Sequence, residues 1–306
     1  MTEKWTATDI SDQTGKVVII TGANTGLGYI DAQELARRGA EVILACRDKG
    51  KGEMALLKIK NEQPKAKARP MLLDLADLAS VRNFANEFTS KYDKLDILIN
   101  NAGLMCPPFM KTVDGFEIQF GTNYLGHFAL TSLLMEPIIK TPEARVVTVS
   151  SVAHKIGRIH FDDLNWQKKY SRIAAYSQSK LANLLFTLEL QRRFERAGSN
   201  VIAVAAHPGI AATELGRYIG LMDTIGNKFV AQKAEIGALP TLHAATASDV
   251  KGGAYYGPGG IFEVRGYPKK AKVDDRARDT AVAARLWEVS EEMTNVNYDR
   301  LDKKVR

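Results

Sequence analysis

Tyr176 and Lys180 stand four residues apart in Tyr176-Ser177-Gln178-Ser179-Lys180, which runs on into the strongly helical LANLLFTLELQRRF. Side chains at that spacing share one helix face, so phenol and ammonium can point together into a cleft. A neighbouring ammonium stabilises phenolate and lowers a tyrosine pKa from its reference value of about 10, which allows proton exchange with a carbonyl or alcohol oxygen near neutrality. A surface tyrosine and lysine on a helix would show the same spacing, so the pair takes its meaning from its neighbours.

The second chemical feature is the turn Thr21-Gly22-Ala23-Asn24-Thr25-Gly26-Leu27-Gly28. Its glycines permit a tight turn and close backbone approach, and the helix that follows offers unpaired N–H groups to a pyrophosphate. The spacing is TGxxxGxG, and a sharp connection without a ligand is the plainer alternative. At the end of the next strand-like run, where an acidic residue would bind a ribose, stand Cys46, Arg47 and Asp48. A guanidinium bonds phosphate in bidentate fashion, so Arg47 predicts NADP(H) in preference to NAD(H). Asp48 could bind a ribose instead, and Arg47 could be a solvated loop charge.

These residues need a frame, and the apolar runs supply one. Lys16 to Thr21, Glu41 to Cys46, Arg69 to Leu73, Asp96 to Ile99, Arg145 to Val149 and Val201 to Ala205 read as strands, each followed by a turn and a helical pattern. Tyr29 to Arg38 is helix-compatible, and Asp77 can cap a helix with the apolar face Leu78, Val81, Phe84, Ala85 and Phe88. Continuous apolar strands alternating with amphipathic helices predict an α/β fold: a single Rossmann-type, doubly wound parallel sheet with helices on both faces. Residues 1–14 read as an N-terminal extension, 15–265 as the catalytic domain with a small helical flap at about 215–235, and 266–306 as a tail carrying a packed surface helix.

The chain has 306 residues, with 45% hydrophobic and 25% charged, values of an ordinary folded protein. Its 42 basic and 35 acidic residues leave a net charge of +7, too dilute to name a partner. Two cysteines, Cys46 and Cys106, form no disulfide framework, which favours a reducing, cytoplasmic setting. The first residues lack the apolar stretch of a secretory signal, and no run matches a membrane-spanning helix. The basic KKAK stretch at 269–272 lacks interleaved aromatics, so no nucleic-acid partner is expected; such binding would show as salt-sensitive association. His154 and His160, with Asp162 and Asp163, match no zinc spacing, and no metal is expected.

Taken in order, the turn from Thr21 to Gly28, Asn100-Asn101-Ala102-Gly103, Asn123 in GTNYLGHF, Ser151 in VTVSS, Tyr176 with Lys180, and Pro208-Gly209 resemble the short-chain dehydrogenase/reductase family over roughly residues 14 to 265. The long interval between Ser151 and Tyr176, with ACRD and SKLAN, is most similar to the retinol dehydrogenase and WW-domain oxidoreductase branch. The resemblance implies that Tyr176 is the general acid/base, Lys180 lowers its pKa and bonds the nicotinamide ribose, Ser151 holds the substrate oxygen, and Asn123 steadies a water. It further implies cofactor contacts from Gly22, Asn24, Thr25, Gly26, Leu27, Gly28, Arg47, Asp74, Leu75, Asn101, Ala102, Gly103, Pro208, Gly209, Ile210 and Thr213. The function implied is hydride transfer between NADP(H) and a carbonyl or alcohol, of the bulky lipophilic kind. Relatives pair as homodimers or homotetramers through helices beside Asn123 and Tyr176. A dinucleotide-sensing or scaffold protein with little turnover is the alternative. Met105 to Met110 would form either one wall of a lipophilic pocket or a turn capping the sheet, and His207 a strand-end packing residue.

Overall fold

The computed structural model describes residues 4–210 and 232–302. Thr213 and most of the expected flap lie outside the described residues. In chain order the main elements are β1 (Val17–Thr21), α1 (Gly26–Arg37), β2 (Glu41–Cys46), α2 (Lys49–Glu62), β3 (Lys67–Leu72), α3 (Leu78–Thr89) and β4 (Ile97–Asn100). Next come α4 (Ile118–Phe120), a π-helical turn (Gly121–Leu125), α5 (Gly126–Leu133), α6 (Met135–Lys140), β5 (Arg145–Val149), α7 (Arg172–Arg196), β6 (Ile202–Ala206) and α8 (Ala234–Thr246). The C-terminal part adds β7 (Tyr255–Pro258), β8 (Pro268–Lys270), α9 (Asp275–Arg278), α10 (Thr280–Thr294) and α11 (Asp299–Asp302).

The strands form one sheet in the order β3-β2-β1-β4-β5-β6-β7-β8, parallel throughout except that β8 runs antiparallel to β7. β1 and β4 are buried along their whole length because helices cover both faces, which is why their sequences are apolar without alternation. Val17 and Ile19 enter one core with α3, α5 and α7, while Val18 and Ile20 enter the other with α1, α2 and α8. Pro70 is tolerated because β3 is the sheet's edge. The order reverses between β1 and β4, which opens a crevice at the strands' carboxyl ends, where open α/β sheets take ligands.

The strand expectations hold to within a residue or two. Asp77 caps α3 through bonds from Ala79 N at 2.9 Å and Ser80 N at 3.4 Å. The expected boundary at residue 265 does not divide the fold, because Pro268–Lys270 completes the sheet. The expected surface helix is more deeply embedded than its sequence pattern suggests. Trp287 is 1% exposed and packs on Phe128 and Phe186, with the Arg193 guanidinium 4.1 Å from its ring centroid. Arg82 Nη2 donates to the Thr294 carbonyl at 2.7 Å, pinning the end of α10 to α3.

Candidate active site

The turn after β1 has the backbone its glycines imply. Gly22 has φ +69° and Gly26 φ +58°, both in the left-handed region. A Cβ on Gly28 would lie 2.5 Å from Asn101 Nδ2 and 2.6 Å from the Gly22 carbonyl oxygen, so only glycine lets α1 start this close to the sheet. Thr25 is the N-cap residue of α1 but its side chain makes no capping bond, so the first-turn N–H groups lack that competitor. Asn24 is half-buried and Leu27 packs partly against the α1 core.

Thr21 is the hub of this corner. Its hydroxyl oxygen accepts from Asn101 N and Ala102 N, each at 2.9 Å, and lies 2.9 Å from His127 Nε2. Asn101 Nδ2 donates to the Thr21 carbonyl at 2.8 Å. His127 is fully buried, and its Nδ1 lies 2.9 Å from the Asn123 carbonyl oxygen, which requires Nδ1 to carry the proton. Burial pushes the imidazole down to about 4, so it is neutral and donates one way only. Sequence reading passed over Thr21 and His127 as individual site residues; the four-residue step from Asn123 to His127 is the signal that could have marked the second.

Asn123 sits in the π-helical turn and is fully buried. Its Oδ1 accepts from Leu104 N at 2.9 Å, and its Nδ2 donates to the Leu104 carbonyl and to Ser179 Oγ, both at 3.0 Å. The carboxamide thus ties the loop after β4 to α7. A Cβ on Gly103 would lie 3.1 Å from Asn123 Oδ1 and 3.7 Å from Lys180 Nζ, so Gly103 keeps this approach to the lysine open.

Tyr176 and Lys180 are buried on the face of α7 that meets the sheet. Lys180 Nζ donates to the Val149 carbonyl at 3.1 Å and lies 5.7 Å from the Tyr176 ring centroid. Burial pushes the Lys180 ammonium down to about 8. Burial likewise pushes the Tyr176 phenol up to about 12, and only a hydrogen bond with Ser151 draws it back. In this structure burial is the largest influence on the phenol, and the ammonium is directed at a backbone carbonyl. Ser151 precedes the turn Val152–Ile156 and caps it, its Oγ accepting from Ala153 N at 3.2 Å. Ser151, Tyr176, Lys180 and Asn123 are therefore brought to one place at the carboxyl ends of β4 and β5.

The residues expected to meet the outer parts of a cofactor vary in placement. Arg47 is exposed just beyond β2 and forms no ion pair among the described residues, while Asp48 caps α2 through Lys51 N at 2.9 Å. Asp74 Oδ1 accepts from Ala76 N at 2.9 Å, and Leu75 is buried against Gly126 of α5. Gly209 has φ +67°, and Ile210 N donates to the Val264 carbonyl at 2.9 Å, which places Pro208-Gly209-Ile210 beside the segment after β7. His207 is a buried packing residue whose Nδ1 accepts from Gly209 N at 3.3 Å. In the loop after β4, Pro107 is buried while Phe109 and Met110 are exposed, and Tyr170 donates to the Pro107 carbonyl at 3.1 Å. Among the described residues no cluster of His, Cys, Asp or Glu could hold a metal ion; His160 lies edge-on to Trp166 and Asp163 accepts from Gln167 N and Lys168 N.

A glycine-cut turn at a topological switch point, with a half-buried Ser and a buried Tyr–Lys pair beside it, defines a nicotinamide-dependent oxidoreductase acting on alcohol or carbonyl groups. The sequence pattern of the short chain dehydrogenase family matches residues 16–224, and the chain belongs to that family. It is 45% identical over 289 residues to retinol dehydrogenase 12 of Mus musculus, covering 93% of this chain and 88% of that one. It is 46% identical over 284 residues to retinol dehydrogenase 13 of Homo sapiens, covering 89% and 82%. An uncharacterized Mycobacterium paratuberculosis protein superposes with a TM-score of 0.82 at 47% identity, covering 97% and 99%. The fold is also that of the Pseudomonas aeruginosa RhlG/NADP complex, with a TM-score of 0.64 at 21% identity and coverage of 80% and 94%.

Proposed function

We propose that this chain is an NADP(H)-dependent reductase or dehydrogenase for a lipophilic aldehyde, ketone or retinal-like carbonyl and its alcohol, with Tyr176 as general acid/base. The observation that carries the proposal is the burial of Tyr176 and Lys180 next to Gly103, with Ser151 half-buried beside them. The retinol dehydrogenase relatives support a bulky apolar substrate, and the half-exposed Phe109 and Met110 offer an apolar wall for it.

The cradle at Gly22 and Gly28 and the uncapped first turn of α1 fit a dinucleotide. Gly22, Asn24, Thr25, Gly26, Leu27 and Gly28 would hold its pyrophosphate, Asp74, Leu75, Asn101, Ala102 and Gly103 its adenosine side, and Pro208, Gly209 and Ile210 its nicotinamide end; Thr213 lies outside the described residues. When bound, the nicotinamide supplies the hydride chemistry itself. The protein supplies position and a proton. Ser151 Oγ bonds the substrate oxygen, Tyr176 gives its phenolic proton to that oxygen in reduction and takes it back in oxidation, and Lys180 bonds the ribose and makes up the proton at Tyr176. Arg47, exposed and without an ion-pair partner among the described residues, would take the 2′-phosphate. On replacing Arg47 by alanine, the affinity ratio of NADP(H) to NAD(H) should fall about tenfold or more, as loss of charged hydrogen bonds requires; an unchanged ratio in equilibrium titrations ends that assignment.

The decisive experiment follows absorbance at the reduced-nicotinamide band with a panel of aldehydes, ketones and retinoids. Turnover of an apolar carbonyl is expected, whereas cofactor binding without turnover would make the chain a dinucleotide sensor or scaffold. A homodimer or homotetramer would have to assemble around α10, which lies against α5 and α7. Among the described residues no helix is long and apolar enough to cross a membrane. Cys46 and Cys106 are both free, the first buried and the second half-buried.

A further inference from the structure

The turn that follows Ser151 is held from outside the catalytic set. On one side it is pressed against α7: a Cβ on Gly157 would lie 2.5 Å from the Ser177 carbonyl oxygen and 3.0 Å from Leu181 Cβ. On the other side it is gripped by residues 263–276. Arg276 Nη2 donates to the Lys155 carbonyl at 2.7 Å and Nη1 to the Gly157 carbonyl at 3.0 Å, while its Nε donates to Asp274 Oδ1 at 2.9 Å. Lys155 Nζ donates to Glu263 Oε2 at 2.7 Å, and Glu263 Oε1 accepts from Lys272 N at 2.9 Å.

His154 joins the two sides. It is fully buried, and its Nδ1 lies 2.6 Å from the carbonyl oxygen of Ser151 itself, so that nitrogen carries the proton. Its Nε2 then accepts from Asp274 N at 3.4 Å. One imidazole thus bonds the backbone of the residue to which the proposed function assigns the substrate oxygen and, through its other nitrogen, the C-terminal segment.

We propose that residues 263–276 clamp the Ser151–Gly157 turn and that His154, bonded to the Ser151 carbonyl and the Asp274 amide, is a positioning residue for the Ser151 hydroxyl. The proposal rests on the oxidoreductase function proposed above. A hydroxyl that must bond Tyr176 and a substrate oxygen together tolerates little displacement, since misplacement by about 1 Å can cost about a hundredfold in rate.

The test uses the full chain and the best carbonyl from the panel. Arg276→Gln and His154→Ala are each expected to lower kcat at least about tenfold while KM and cofactor affinity stay within about twofold, the pattern of an effect confined to the chemical step. His154→Asn keeps a donor toward the Ser151 carbonyl and should recover most of the rate, and Arg276→Lys part of it. Wild-type kcat in folded Arg276→Gln and His154→Ala would overturn the proposal. Should either fail to fold, Asp274→Pro is compared with Asp274→Ala. Asp274 has φ −67°, which proline adopts, so the proline variant loses the N–H while keeping that backbone angle. A lower kcat in the proline variant supports the His154 link, and equal kcat values overturn it. If the wild-type chain turns over no carbonyl, the proposed function falls separately and hydrogen exchange decides the clamp. Faster exchange of amides 152–157 in Arg276→Gln supports it, and unchanged exchange overturns it.

Discussion

Lys180 on α7 and Asp31 on α1 are ionisable side chains buried on opposite faces of the same sheet, 4% and 0% exposed. Lys180 has company: the Val149 carbonyl accepts a hydrogen bond from its ammonium, Tyr176 lies alongside, and Asn123 and Ser179 brace the same stretch of α7. Asp31 has none among the described residues, where neither carboxylate oxygen has a hydrogen-bond partner. Burial alone drives the lysine down to about 8 and the aspartate well above its ordinary range. The two regions teach that burial of a charge-bearing group does not make a site. Of the two, the α7 region is where partners converge, on the pair to which the proposed function assigns the chemistry.

The sharpest way to break this contrast is Tyr176→Phe. It should cost about a thousandfold in turnover, within the range for loss of a general acid, and leave cofactor binding intact. Wild-type rates would empty the α7 region of its special status. Lys180→Met comes next, with a loss of about a hundredfold in kcat and a gain in stability. The lysine's folded pKa lies below its ordinary 10.5, so the native state binds fewer protons than the unfolded state between about 8 and 10.5. Wild-type stability therefore rises across that window. Below it the burial penalty is complete, at ~3 kcal/mol for a shift of this size. Thermal unfolding should show the methionine variant ahead at pH 7 and level by pH 10.5.

A smaller effect sharpens the contrast kinetically. Tyr176, held up at about 12, keeps its proton throughout the working range, whereas Lys180 loses its own near 8. Reductive turnover should fall and oxidative turnover rise as pH passes about 8, and a flat pH–rate profile in both directions would count against Lys180 as the proton source. The smallest effect is expected at Asp31. Its raised folded pKa means that stability, full below 3.8, is lost as pH climbs. Asp31→Asn should melt a few degrees higher than wild type at pH 7, with the gap closing toward pH 4, and its turnover should match wild type. A loss of activity in that variant would give α1 a functional role.

The turn from Thr21 to Gly28, the strand runs and the Tyr176/Lys180 step were legible in the sequence because each depends on local spacing: glycine where φ is positive, apolar continuity where both faces are covered, four residues along one helix. What stayed hidden depends on contacts between distant segments. Thr21 reaches Asn101 across 80 residues and His127 across 106, and no local pattern marks a hydroxyl as the meeting point of three elements. The commitment of Asn123 to Leu104 and Ser179, and the grip of Asp274 and Arg276 on the Ser151 turn, are of the same kind. The tail's amphipathic pattern indicated a helix but not the depth at which Trp287 and Tyr298 lie between Phe128 and Phe186.

Order of synthesis gives that last packing a further meaning. β1 to β6 and α7 leave the ribosome before β8, Arg276 and Trp287, so the nascent sheet carries a bare aromatic flank and an unbraced serine loop until the closing residues emerge. A chain cut short upstream of α9 would lack both the guanidinium that holds the Lys155 and Gly157 carbonyls and the indole that covers Phe128 and Phe186.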